Sequence, residues 1–233
     1  MHQRLLSNGT LPSGITQRYG RLFAQYQSKD CWQDMADEDL WGELCLCILS
    51  SNVPYEMASS AFNQLLCKGL IDPHEASGVS SRRVARELNR SIYLPRRKDG
   101  LFRRYRFPNL RASNLAEAWE ILYDEGNGIK ALLQETCCPE STRSKLVRTV
   151  PGLGLKEASH FLRNVKFSDT LAIIDSHIVK FVQEFVGLQF RGCPSSQQYL
   201  EVEGILKDIS TRFGLSLGVM DMAIWESMRV VTA

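Results

Sequence analysis

A five-residue turn, VPGLG at 150–154, separates two helical stretches and most restricts what this chain can fold into. Pro151 fixes its φ angle and ends the helix before it, while glycines permit positive φ angles and close approach of another backbone. Backbone amides at the start of the next helix can face a phosphate. The turn predicts a helix–hairpin–helix over about 141–165 that binds a DNA backbone without reading sequence. An ordinary turn between two helices is the alternative. The DNA-binding residues predicted here are Gly152, Leu153 and Gly154.

The rest of the chain also follows a helical pattern, with apolar residues recurring three and four positions apart. A turn and a helix start are predicted at 72–74. An extended stretch or a buried loop is predicted at 171–174, leading into a helix capped by Asp175. No pair of strands stands out. The sequence therefore predicts an all-α fold, a two-lobed helical bundle with a helix–hairpin–helix motif and an active-site cleft between the lobes, with 1–233 forming a single unit.

Composition narrows the class of protein. No apolar run approaches the roughly 18 residues that a membrane span needs, and the start of the sequence lacks the apolar stretch of a secretory signal. The spacing of the seven cysteines fits neither a zinc ribbon nor an iron–sulfur loop, so Cys45 and Cys47 are predicted to be buried thiols. We expect a cytoplasmic protein, or a nuclear one in a nucleated source, with no disulfide, no metal, no cofactor and no membrane partner.

The segment 82–111 carries a net charge of +9, although the whole chain carries only +2. Four aromatic residues lie among its eleven basic ones, a combination that suits a polyanionic partner. A solvated face with some core aromatics is the alternative. The residues predicted to contact DNA in this segment are Arg96, Arg97 and Lys98.

Lys156 and Asp175 are the candidate catalytic residues. Lys156 follows Gly154 by two positions and lies in the first turn of the helix, where the helix dipole disfavours an ammonium ion. That field and partial burial favour the neutral amine, which is a nucleophile. Asp175 comes nineteen residues later, and a return connection of that length can bring it beside the hairpin. Helix capping is its alternative role, and the two roles are compatible.

At this point the sequence resembles a known superfamily. The motif VPGLGLKEA at 150–158, with Asp175 downstream, resembles the helix–hairpin–helix DNA glycosylases. Within that superfamily, the closest resemblance is to the small archaeal-type 8-oxoguanine DNA glycosylase/AP lyase group, and it runs from about residue 18 to the end. The motifs that carry it are EASHFLRNV at 157–165, LAIIDSHI at 171–178, ELCLCILSSN at 43–52 and RYRFPN at 104–109.

The resemblance implies a bifunctional DNA glycosylase/AP lyase of base excision repair. Lys156 would attack C1′ of the damaged nucleotide and expel the base, and the resulting Schiff base would permit strand cleavage by β-elimination. Asp175 would stabilise positive charge on the sugar and help to activate the amine. The implied partner is double-stranded DNA with a damaged base, bound by a monomer without a cofactor.

The resemblance also implies a pocket for a base that is flipped out of the duplex. Asn52 matches the asparagine that fills the gap, with helix C-capping as its alternative. Trp225 would stack on the base, and Asp221, one helical turn earlier, would accept from its ring N–H groups; a tryptophan of the core is the alternative. The chain ends at Ala233, whose carboxylate is another candidate contact, where that group usually has a terminal lysine. An oxidised purine, with 8-oxoguanine favoured, is the predicted substrate.

Two other functions remain open from the residues. A non-catalytic helix–hairpin–helix module that binds DNA would need the hairpin and the basic segment but neither Lys156 nor Asp175. A glycosidase acting on RNA or nucleosides could use the same scaffold. The joint presence of Lys156 and Asp175 favours the DNA enzyme over the binding module.

Overall fold

The computed structural model describes residues 31–75, 77–190 and 192–231, so the predictions for Ala233 and for the N-terminal signal lie outside the described residues. The described chain is mostly helical, as predicted. Single π-helical turns at Glu120–Asp124 and Val182–Val186 extend α4 and α8. The helices are α1 Asp37–Ser50, α2 Tyr55–Cys67, α3 Ser81–Leu88, α4 Pro108–Trp119, α5 Gly128–Gln134, α6 Pro139–Thr149, α7 Leu155–Asn164, α8 Ser176–Phe181, α9 Ser196–Arg212 and α10 Leu217–Val231.

Two local predictions were wrong. The strands β1, Ser91–Tyr93, and β2, Arg103–Arg104, form a short antiparallel hairpin. Runs of three and two residues are too short to show the alternation that marks a strand. At 72–74 the predicted turn is present, with the Asp72 carboxylate accepting from the His74 amide at 2.9 Å, but the helix predicted to start there does not form. The next helix begins only at α3, where the Ser80 hydroxyl accepts from a backbone amide.

The chain divides into two compact units, of which the first is Cys31–Val165. Its centre is α1, which packs against α2, α4, α5 and α7. Leu40, Leu44 and Ile48 are fully buried, in agreement with the predicted helical face. The thiols of Cys45 and Cys47 are buried and unbridged, as predicted. The hairpin motif lies in this unit, where α6 packs against α7.

The second unit holds the helices α8, α9 and α10 within 166–231. Its organising element is α10, which packs against both of the others. A stretch without regular secondary structure, 171–174, is buried and leads into α8. The prediction that 1–233 forms one glycosylase unit stays a prediction, as does the cleft.

Searching the described helices for a membrane span finds none that is both long and apolar enough.

Candidate active site

The hairpin between α6 and α7 has the geometry that its sequence predicts. Gly152 adopts a φ of +86°, which is strained for any residue with a side chain. A Cβ atom at this position would lie 2.3 Å from the side-chain amide of Asn114. The turn is closed by the Leu153 amide, which donates to the Val150 carbonyl at 3.3 Å. Glycine is therefore required here both by the backbone angle and by the neighbouring side chain.

The hairpin leaves two amides available at the start of α7. Gly154 is the N-cap residue of that helix and is exposed. Within the described part of the chain, the amides of Gly152 and Gly154 make no hydrogen bond. The Leu153 amide is used in the turn, and its side chain is buried. Two of the three predicted DNA contacts thus offer a donor, whereas Leu153 anchors the loop.

Lys156 lies in the first turn of α7, as predicted. Its side chain is 27% exposed, and its Nζ atom lies 3.9 Å from Oε1 of the neighbouring Glu157. That distance is at the outer limit of an ion pair, so it holds the amine loosely. The lysine side chain is thus partly sheltered and retains access to solvent.

Two titratable groups near Lys156 are held neutral. The pKa of the Cys47 thiol is raised well above its usual range by burial and by the Glu43 charge, with Lys156 acting in the opposite direction. The pKa of His160, one helical turn after Lys156, is lowered to about 3 by burial and by the positive charges of Lys156 and Arg163. Both shifts favour the uncharged forms of these groups, so Lys156 is the charged partner of neither.

Asp175 is the N-cap of α8, as predicted. Its Oδ1 atom accepts hydrogen bonds from the amides of His177 at 2.9 Å and Ile178 at 3.1 Å. Among the described residues, Oδ2 of the same carboxylate has no hydrogen-bond partner. One oxygen therefore fixes the side chain, and the other is available to a ligand.

The predicted base-pocket residues of α10 differ in exposure. Trp225 is half-buried and meets the ring of His177 edge-on, with 6.1 Å between ring centroids. Asp221 is only 1% exposed, and its Oδ2 atom accepts from the Ile173 amide at 2.6 Å. Base contact by either residue stays a prediction. The structure gives Asp221 a task within the fold that the sequence did not indicate.

Asn52 follows the C-terminus of α1 in a left-handed conformation, with φ +57°. The C-cap of the helix is Ser51, so Asn52 lies one residue beyond the predicted capping position, in a conformation that is typical there. Its insertion into DNA stays a prediction. The carbonyls of Asn52 and Ser51 accept from Arg106 at 3.2 Å and Arg111 at 2.9 Å. Arg111 is buried, so this basic residue serves the fold and is not available to a polyanion.

The three predicted DNA contacts at 96–98 lie in the loop between β1 and β2. Arg96 donates to the Gly100 carbonyl at 2.9 Å, and Arg97 pairs with Asp99 at 3.1 Å. Lys98 is exposed and has no partner in the described chain. Three arginine side chains of α3 are also exposed and unpaired in the described ranges: Arg82, Arg83 and Arg86.

In the ranges that the structure describes, no three or more His, Cys, Asp or Glu side chains are grouped so that they could hold a metal ion.

Comparison with known proteins identifies the family. The model of the helix–hairpin–helix 8-oxoguanine DNA glycosylase family matches residues 21–215. The chain is 33% identical over 191 residues to the 8-oxoguanine DNA glycosylase/AP lyase of Sulfurisphaera tokodaii, covering 82% of each chain. It is 32% identical over 196 residues to the protein so named from Saccharolobus solfataricus, covering 82% of this chain and 84% of that one.

Solved structures agree. The 8-oxoguanine glycosylase/lyase of Methanocaldococcus jannaschii, in complex with a 15mer DNA containing 8-oxoguanine, is 27% identical, with a TM-score of 0.69 over 92% of this chain and 91% of that one. The 8-oxoguanine DNA glycosylase of Thermotoga maritima gives 27% identity and a TM-score of 0.69, over 91% of this chain and 93% of that one. The resemblance predicted from the motifs is confirmed, and the chain belongs to the helix–hairpin–helix family of 8-oxoguanine DNA glycosylases.

Proposed function

We propose that this chain is a bifunctional DNA glycosylase/AP lyase that excises 8-oxoguanine from double-stranded DNA through a Schiff base on Lys156. The observation that carries the proposal is the position of the partly sheltered Lys156 side chain, in the first helical turn after a hairpin with two unpaired amides. Those amides and the start of α7 suit a phosphate, which would bring the adjacent sugar to the lysine. The names of the relatives support the class of activity.

The chemistry follows from the amine. Lys156 Nζ, in its neutral form, forms a bond to C1′ while the bond between C1′ and the base breaks and the base leaves with the bonding electrons. The nitrogen then gives up one proton, and its lone pair forms the C=N bond as the C1′–O4′ bond breaks with its electrons on the ring oxygen, which takes up a proton. The product is a protonated imine. Removal of a C2′ proton expels the 3′ phosphate by β-elimination, and water finally hydrolyses the imine and releases the lysine.

Asp175 supports this reaction electrostatically. Positive charge develops on the sugar as the base departs, and a fixed carboxylate stabilises it without reorganising during the step. The capping bonds occupy Oδ1, so we assign Oδ2 to the substrate.

DNA binding is assigned to several further residues. We assign phosphate contacts to the hairpin amides and to the basic loop at 96–98, filling of the gap in the duplex to Asn52, and stacking on the extruded base to Trp225. We further propose that the enzyme acts as a monomer, in the cytoplasm or, in a nucleated source, in the nucleus.

Borohydride trapping on a duplex with one 8-oxoguanine tests the function. Reduction fixes the imine as a stable protein–DNA adduct, which we expect for the unmodified protein and not for Lys156→Gln. Base release should fall with trapping, by on the order of a thousandfold or more, while DNA binding is largely retained.

Lys145→Gln is the matched control, because Lys145 lies on α6 of the same motif with 24% of its side chain exposed, against 27% for Lys156. It should trap at the original level. An adduct formed by Lys156→Gln would remove the lysine assignment. DNA binding by the unmodified protein without base release would indicate a non-catalytic module, and faster action on RNA or nucleosides would indicate a different glycosidase.

A further inference from the structure

The segment 171–174, which leads into Asp175, is held by side chains instead of by secondary structure. It is buried, and no helix or strand includes it. Three consecutive backbone amides nevertheless each donate to a side chain of α9 or α10. The bonds are Ala172 N to Glu203 Oε1 at 2.9 Å, Ile173 N to Asp221 Oδ2 at 2.6 Å, and Ile174 N to Tyr199 OH at 3.3 Å.

The three bonds come from two sides. Tyr199 and Glu203 are four residues apart on α9 and therefore lie on one face of it. They hold the first and third amides, while Asp221 on α10 holds the second. The Tyr199 hydroxyl also donates to the Ala172 carbonyl at 2.7 Å. The segment is clamped between two helices of the second unit.

The clamp reaches Asp175 directly. The amide of Asp175 donates to the Ile173 carbonyl at 3.0 Å, which forms a three-residue turn at the end of the segment. Asp175 then begins α8 as its N-cap. Its backbone is thus fixed by the clamped segment on one side and by the helix on the other.

We propose that Tyr199 and Glu203, together with Asp221, are positioning residues that hold the Asp175 carboxylate at the geometry of base excision. The inference rests on the proposed catalytic role of Asp175. Burying Glu203 and Asp221, which are 8% and 1% exposed, is costly unless their oxygens are well bonded. Both carboxylates accept hydrogen bonds from the same four-residue segment and so fix its backbone. A carboxylate that acts electrostatically, such as Asp175, must be held in a fixed position.

A positioning role has a signature that a merely structural role lacks: it acts through Asp175. Single-turnover base release from an 8-oxoguanine duplex is measured for Tyr199→Phe, Asp175→Asn and the double variant. Tyr199→Phe should slow release on the order of ten- to a hundredfold, since a misplacement of about 1 Å costs that much. In the double variant the Tyr199 change should slow it no further, and the affinity for the duplex should be unchanged in all three.

Tyr93→Phe is the matched control. The Tyr93 hydroxyl is buried and donates to the Glu87 carbonyl at 2.7 Å, the same distance as the bond from Tyr199 to Ala172. Its loss should lower the melting temperature, though less than Tyr199→Phe does because the Tyr199 hydroxyl also accepts from the Ile174 amide, and it should leave the rate of base release at the original value. Glu203 supplies a rescue test: Glu203→Gln keeps an oxygen for the Ala172 amide and should keep the rate, whereas Glu203→Met should lose it.

The outcomes separate the inference from the proposed function. If Asp175→Asn releases the base as fast as the unmodified protein, the catalytic role of Asp175 is wrong. If Asp175→Asn is slow but Tyr199→Phe is fast, the clamp has no positioning role and the proposed function stands. The inference also fails if Tyr199→Phe slows the double variant by the same factor as the single one, or if Glu203→Gln is as slow as Glu203→Met.

Discussion

Lys156 and Asp175 are held in opposite ways. The amine of Lys156 is partly exposed and has one loose ion pair at 3.9 Å. The carboxylate of Asp175 is bound by two backbone amides, and the segment before it is clamped by three side chains. The difference suits the two assigned tasks. A nucleophile that remains bonded through imine formation and elimination must move with the sugar, whereas a group that acts by its charge is most effective when it is fixed.

After loss of the nucleophile itself, the largest effect is expected from removing the fixed charge of Asp175. Asp175→Asn and Asp175→Ala should each lower single-turnover base release by roughly a hundredfold or more. Their stabilities should differ, because Asn caps a helix about as well as Asp, while Ala loses about 0.5–2 kcal/mol of capping energy. Chemical denaturation and rate measurements on both variants separate the tasks. If both variants keep the original rate and only Asp175→Ala is destabilised, Asp175 is a cap and nothing more.

Substitution in the hairpin that precedes Lys156 should have the next largest effect, on the free energy of unfolding. Gly152→Ala adds the strain of a positive φ angle to a clash with Asn114, for a loss of about 2–4 kcal/mol in the free energy of unfolding. Gly192→Ala is the control, since Gly192 has a similar φ of +83° but no atom within 4 Å of the added Cβ. The free energy of unfolding of Gly192→Ala should fall by only about 1–2 kcal/mol. Equal losses in urea denaturation would show that the Asn114 contact contributes nothing.

The two regions also differ in how much the sequence revealed. The turn before Lys156 and the cap at Asp175 follow from local rules for Pro, Gly and Asp, and both were predicted at the correct residues. The clamp on 171–174 was missed because its partners lie 25 to 48 residues away in sequence. No local pattern shows such contacts, so the sequence did not indicate that Asp221 holds the Ile173 amide, and base contact by Asp221 stays a prediction.

A smaller effect is expected from the neutral histidine near Lys156. His160 has a pKa of about 3 in the folded chain and about 6.5 when unfolded. The unfolded chain therefore takes up a proton below pH 6.5 that the folded chain does not, and stability falls as the pH is lowered towards 3. As the pH falls from 6.5 to 4.5, the free energy of unfolding should decrease by about 1 kcal/mol per pH unit more for the unmodified protein than for His160→Gln.

Thermal melting over this pH range measures the difference, with His74→Gln as the control. The pKa of His74 is raised by its hydrogen bond to Glu38, so its contribution has the opposite sign. Stability from this pair is present at low pH and is lost as the pH rises through the raised pKa. His74→Gln should therefore leave the acid-side loss in place. Parallel curves for the unmodified protein and His160→Gln would mean that His160 has the same pKa in the folded and the unfolded chain.

The smallest effect should come from residues that touch neither the amine nor the carboxylate. Lys98 has no partner within the described residues, whereas Arg96 and Arg97 are engaged inside their own loop. Lys98→Ala should flatten the dependence of log affinity on log salt by roughly one unit, and replacing all three by Ala should flatten it by up to about three. The affinities for damaged and undamaged duplexes should fall alike, because phosphate contacts carry no base information.

At saturating DNA the rate of base release should stay at its original value, unlike that of the Asp175 variants. Lys207→Ala, an exposed change of the same charge on α9, is the control and should leave the salt slope in place. An unchanged slope in the triple variant would make the loop a solvated face, and a fall in the saturated rate would place it in the chemistry with Lys156 and Asp175.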